Sequence, residues 1–126
     1  MSLRKLVSLG SLLAVCMALT CMGQGTGTIR YEVWEGIGGT AVTDLTGNAN
    51  FPENPSWDDE LALFESPTNM ADNFGGRLYG WLHPTETADY TFWLAADDGA
   101  EVWLSTDDDP ANAVLIVSED SWGGSR

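Results

Sequence analysis

A chain of 126 residues holds one domain and no more. Its 19 acids against five basic residues give a net charge of −14, a surface that repels nucleic acid and anionic lipid and attracts cations. Both cysteines, Cys16 and Cys21, stand near the start, so a domain built from the rest has neither a disulfide nor a thiolate metal site.

The first residues form a leader. Arg4 and Lys5 precede an apolar run over 6–19, and small residues follow around Cys21 and Gly23. These are the three regions of a secretory signal peptide, spanning 1–23. The run is shorter than the roughly 20 apolar residues of a spanning helix, so the mature chain, 24–126, is expected to be secreted or at the cell surface without inserting into a membrane. Acylation at Cys21 is the lesser alternative, because Ala18-Leu19-Thr20 fits a lipoprotein signal poorly. Removing the leader leaves Arg30, Arg77 and Arg126 against all the acids.

In chain order, Ile29-Arg-Tyr-Glu-Val-Trp34 alternates, with Ile29, Tyr31 and Val33 on one face, and predicts a strand. Glycines over 36–39 break it, and residues 41–45 read as a short strand or turn. Asparagines and prolines make 46–57 a loop. Residues 58–65 are the one helix-like segment, closed by Pro67. A loop over 69–76 leads to a second strand at 77–83, stopped by Pro84. Residues 89–95 and 101–105 read as a hairpin, 106–112 as a turn, and Ala113-Val-Leu-Ile-Val117 as a buried strand. Five or six short strands without a long helix predict an all-β fold, an antiparallel β-sandwich of jelly-roll type or a barrel.

The hairpin invites a closer reading. A three-residue loop at Asp97-Asp98-Gly99 would set Leu94 opposite Val102, Phe92 opposite Leu104 and Trp93 opposite Trp103. Such loops place a left-handed residue third, where Gly99 stands. A plain turn of this kind predicts a trans bond between Asp97 and Asp98.

Catalysis is poorly supplied. The one histidine, His83, sits beside a proline at a strand end, no nucleophile elbow occurs, and adjacent aspartates do not flank a glycosidic bond. The chain is therefore not expected to be an enzyme. Calcium suits the acids better, since it takes six to eight oxygens in irregular geometry, and Asp97 and Asp98 offer up to about four. Asp107, Asp108 and Asp109 lack the spacing of a calcium loop and read as a solvated turn. Trp93 and Trp103 read as cross-strand packing first and as a platform for sugar rings second.

The run from Asp89 to Ser105, with its strand, Asp-Asp-Gly, strand arrangement, resembles the central hairpin of the protective-antigen-fourteen domain family, β-sandwiches of secreted bacterial proteins, toxins, glycosidases and flocculin-type adhesins. Tyr31-Glu-Val-Trp-Glu-Gly36 and Ala71-Asp-Asn-Phe-Gly75 are similar to versions from environmental bacteria, and the likeness covers about 28–122. The resemblance implies that Asp97 and Asp98, joined by a cis peptide, hold calcium that in turn engages the hydroxyls of a glycan or polysaccharide. It also implies further strands and a further ligand loop, so residues 24–126 are expected to be the N-terminal part of such a domain. The function expected is an exported, calcium-dependent carbohydrate-binding module. The alternatives are a structural or adhesive module of a larger cell-surface protein, and an accessory fragment of a secreted glycosidase or protease.

Overall fold

The computed structural model describes residues 27–120; residues 1–26, where the leader is expected, and 121–126, with Arg126, lie outside them. Strand β1 (Ile29–Glu35) forms where the alternation places it and becomes the middle of a three-stranded antiparallel sheet. Its neighbours are β2 (Trp57–Leu61) and β3 (Phe74–Tyr79). A second antiparallel sheet pairs β4 (Ala100–Ser105) with β5 (Ala113–Glu119). The fold is all-β, with one short helix, α1 (Val42–Thr46), and one 3-10 turn, Pro110–Asn112, among the described residues.

β1 is covered on both faces. On one, Tyr31 and Val33 are buried and stand opposite Asp59 and Trp57 on β2, and Leu78 and Gly76 on β3. Tyr31 meets Trp57 edge-on at 5.7 Å between centroids. On the other face Trp34 is buried against Ile37, Leu45 of α1 and Phe51, and its indole N–H donates to the Asn50 carbonyl at 3.1 Å. Gly75 lies opposite Trp34 on β3, and any side chain there would run into Leu45, whose atoms stand 2.8–2.9 Å from the position of an added Cβ. Small size at that point lets α1 lie on the sheet.

Beside Trp34 sits Glu32, a carboxylate held inside by its partners. Arg77 stands directly across from it and donates from Nε at 3.0 Å and from Nη2 at 2.6 Å. The Tyr79 hydroxyl donates to the other oxygen at 2.9 Å. The guanidinium also lies 4.8–5.7 Å from the Tyr79, Phe51 and Trp34 ring centroids, close enough for cation–π attraction.

Several elements differ from the sequence reading. Residues 58–65 form no helix; β2 takes 57–61, because Trp57 and Leu61 share the face of Val33 and Ile29 across the ladder. Asp58 pairs with Arg30 on the opposite face. Residues 42–46 are helical rather than extended. β3 begins three residues before the expected strand and ends at Tyr79, which leaves Trp81 and Leu82 exposed. Residues 89–95 join no ladder among the described residues, so the expected cross-strand pairs do not form; β4 pairs with β5 instead. β5 is not a buried strand either. Its register to β4 shifts between Val102 and Trp103, leaving Ile116 as an extra residue, and Val114, Leu115 and Ile116 all stay exposed.

Candidate functional site

The acids divide into those the fold uses and those it leaves free. Glu32 and Asp58 hold Arg77 and Arg30. Asp107 and Asp109 organise the turn after β4: Asp107 accepts from the Asp109 amide and the Asn112 side chain, and Asp109 accepts from the Ala111 amide. Those bonds hold the Asp107 carboxyl below its usual range. This cluster is an exposed turn, as its spacing suggests.

Asp97 and Asp98 are adjacent acids without such partners. Among the described residues neither side chain makes a hydrogen bond or ion pair, and Asp97 is exposed while Asp98 is half-buried. The bond between them is cis, and Gly99 is not left-handed. The plain-turn expectation fails on both counts. Among the described residues Phe51–Pro52 is also cis.

The backbone of the aspartate loop is anchored instead. Gly99 N–H donates to the Thr40 carbonyl at 2.9 Å. The approach is tight: a Cβ on Gly99 would stand 2.8 Å from that oxygen. Thr40 belongs to the turn that opens α1, where Asp44 reaches back and accepts the Ala41 amide at 2.9 Å. An acid at the third helical position satisfies an otherwise orphan donor in this way. Gly39 completes the turn with φ +99°, and an added Cβ would fall 2.2 Å from Asp44 Oδ2. Sequence reasoning missed Gly39, Thr40 and Asp44. The signal was present, a glycine pair followed by an acid three residues past the cap position.

Next to this contact a cleft of about 210 Å³ opens between Ala41 and Thr43 on one side and Gly99, Glu101, Glu119 and Asp120 on the other. Trp103, two residues beyond Glu101, donates its indole N–H to that carboxylate at 2.8 Å and is 56% exposed. Trp93 is 86% exposed. Neither packs in a core, so the cross-strand stacking expected of this pair is absent; among the described residues the ring pairs are Tyr31–Trp57 and Trp34–Phe51. His83 is exposed in the stretch after β3.

The donor chemistry at Asp97 and Asp98, hard carboxylate oxygen, suits calcium in kind. In number it falls short: among the described residues no three His, Cys, Asp or Glu side chains stand together as a metal-holding group. Two carboxylates supply at most about four of calcium's six to eight oxygens.

Two known proteins share sequence with this chain. Over 92 residues, 72% of the chain, it is 37% identical to part of N-acetyl-beta-glucosaminyl-glycoprotein 4-beta-N-acetylgalactosaminyltransferase 1 of Mus musculus. Over 100 residues, 79% of the chain, it is 28% identical to part of Fibrocystin of Canis lupus familiaris. The matched stretches are 9% and 2% of those proteins, so the chain spans a small part of either. No family model matches the chain, and no solved structure matches it.

Proposed function

We propose that this chain is part of an exported glycan-binding module of the protective-antigen-fourteen type, in which Asp97 and Asp98 hold a calcium ion. The observation that carries the reading is a pair of adjacent carboxylates, Asp97 and Asp98, that make no hydrogen bond or ion pair among the described residues, on a loop whose backbone is seated on Thr40. Placing two unengaged carboxylates on a loop whose backbone is anchored brings repulsion that a bound cation relieves. Water and ligand hydroxyls would complete the shell. The exposed rings of Trp103 and Trp93 support a saccharide ligand, since sugar faces stack on such rings. The Mus musculus relative is named for action on an N-acetyl-β-glucosaminyl glycoprotein, which agrees with a glycan partner for the shared part.

A second reading is a structural or adhesive module with no ligand of its own. It is favoured by the shortage of ligands, since among the described residues no three His, Cys, Asp or Glu side chains stand together. Calorimetry with calcium, followed by glycan-array binding with and without chelator, separates the two. The metal reading expects calcium affinity on the order of millimolar, as in extracellular modules, lost in Asp98→Asn along with glycan binding. Glycan binding that ignores both chelator and Asp98→Asn would remove calcium from the account. Binding to no glycan at all would leave the structural module.

A further inference from the structure

The aspartate loop does not hold itself in place. Among the described residues its one backbone bond to another part of the chain is Gly99 N–H to the Thr40 carbonyl, 2.9 Å long and made across 59 positions of sequence. That carbonyl points where it does because the turn over 39–41 is fixed from below. Asp44 Oδ2 accepts the Ala41 amide at 2.9 Å, the Asp44 amide donates back to the Ala41 carbonyl at 2.9 Å, and Gly39 leaves room for the carboxylate by having no Cβ. The chain runs Asp44, Ala41, Thr40, Gly99, Asp98.

We propose that Asp44 is a positioning residue for the Asp97–Asp98 loop: it fixes the Thr40 carbonyl, the Thr40 carbonyl seats Gly99, and the seated Gly99 sets where the two carboxylates meet a cation. This rests on the reading of Asp97 and Asp98 as cation-holding. Asp44 acts here as a hydrogen-bond acceptor and not as a charge. Asparagine at 44 keeps an acceptor oxygen and loses the charge, whereas alanine loses both. Packing favours the same route from the other side, because a methyl group at residue 99 would press on the Thr40 oxygen at 2.8 Å.

The test uses the full chain and two readouts, calcium titration by calorimetry and native-state hydrogen exchange of the Gly99 amide. Asp44→Ala should weaken calcium binding about three- to tenfold, the equivalent of one ordinary hydrogen bond, and should speed Gly99 exchange by a similar factor. Asp44→Asn should leave both near wild type. Gly99→Ala, which attacks the contact without touching the helix turn, should reproduce the alanine result and serves if Asp44→Ala does not fold. Equal losses in Asp44→Asn and Asp44→Ala would show a charge effect and overturn the proposal. So would faster Gly99 exchange in Asp44→Ala with unchanged calcium affinity, which would leave Asp97 and Asp98 as a cation site and dismiss Asp44 from it. A wild-type chain that binds no calcium would instead end the cation reading, and unchanged Gly99 exchange in Asp44→Ala would then end the seating as well.

Discussion

Two N–H groups of Arg77 reach one oxygen of Glu32, and the Tyr79 phenol donates to the other. Glu32 is 8% exposed, so removing Arg77 would strand a carboxylate inside the sheet. Arg77→Ala should therefore destabilise the chain by about 2–3 kcal/mol, below the roughly 3–5 kcal/mol of a fully enclosed pair because the Arg77 side chain is 35% exposed. Arg77→Lys should recover part of that, since lysine keeps the charge and loses the planar fork. Urea denaturation measures both, and an Arg77→Ala chain as stable as wild type would show that water already solvates Glu32. At Asp107 the same scale gives a pH effect. Its folded pKa is depressed, first by the Asp109 amide and then by Asn112. The stabilisation is therefore complete above the ordinary value of 3.8 and disappears as pH falls through the lower folded value. Carboxyl-carbon NMR should find Asp107 titrating below 3.8, and Asp107→Asn should reduce the acid sensitivity of the 106–112 turn over that range.

Elements are decided by what stands across from them. Gly75 and Gly76 follow Phe74 at the start of β3, and on opposite faces they leave space for Leu45 and for the Tyr31 ring, which lies 2.8 Å from a Cβ built at Gly76. Gly76→Ala should overpack that face and cost about 1–3 kcal/mol. Gly38→Ala is the control: a Cβ there meets nothing within 4 Å and the backbone is not left-handed, so stability should hold or rise slightly. Thermal melts of the two variants check the pair, and equal melting temperatures would mean that Tyr31 yields without cost. Local sequence misled most at 58–65. Its acids and leucines suit a helix turn, yet Trp57, Asp59 and Leu61 on one face match a strand, and β1 offered the ladder.

For the whole molecule, the buried hydrophobic residues described are Tyr31, Val33, Trp34, Ile37 and Leu45, all from β1, the turn after it and α1. The β4–β5 ribbon keeps Trp103, Val114, Leu115 and Ile116 between 40% and 56% exposed. Two-stranded ribbons are marginal alone, and adjacent exposed apolar groups favour association. Net charge of −14 opposes it. Association should therefore increase with salt, as screening shortens the range of repulsion, and sedimentation velocity over a concentration series should show it. Ile116→Glu should suppress that association at high salt while changing stability little, because Ile116 is already 40% exposed. Monomers at every salt concentration would show that the ribbon is covered in solution.

By itself the sequence determined the all-β class, the place of β1, the strand at β4, the exposed turn at 106–112 and the side-by-side placing of two acids at Asp97 and Asp98. Each of these depends on a local pattern: alternation along a strand, turn residues with their own side-chain acceptors, two adjacent acids. Tertiary structure alone decided that β4 pairs with β5 and not with residues 89–95, that Trp93 and Trp103 face outward, that residues 42–46 coil into α1, and that Gly99 sits on Thr40. Strand alternation says which side chains share a face and is silent about which strand lies alongside. A contact between residues 40 and 99 is made by backbone groups that every residue carries, so only the folded path of the chain could bring that amide to that carbonyl.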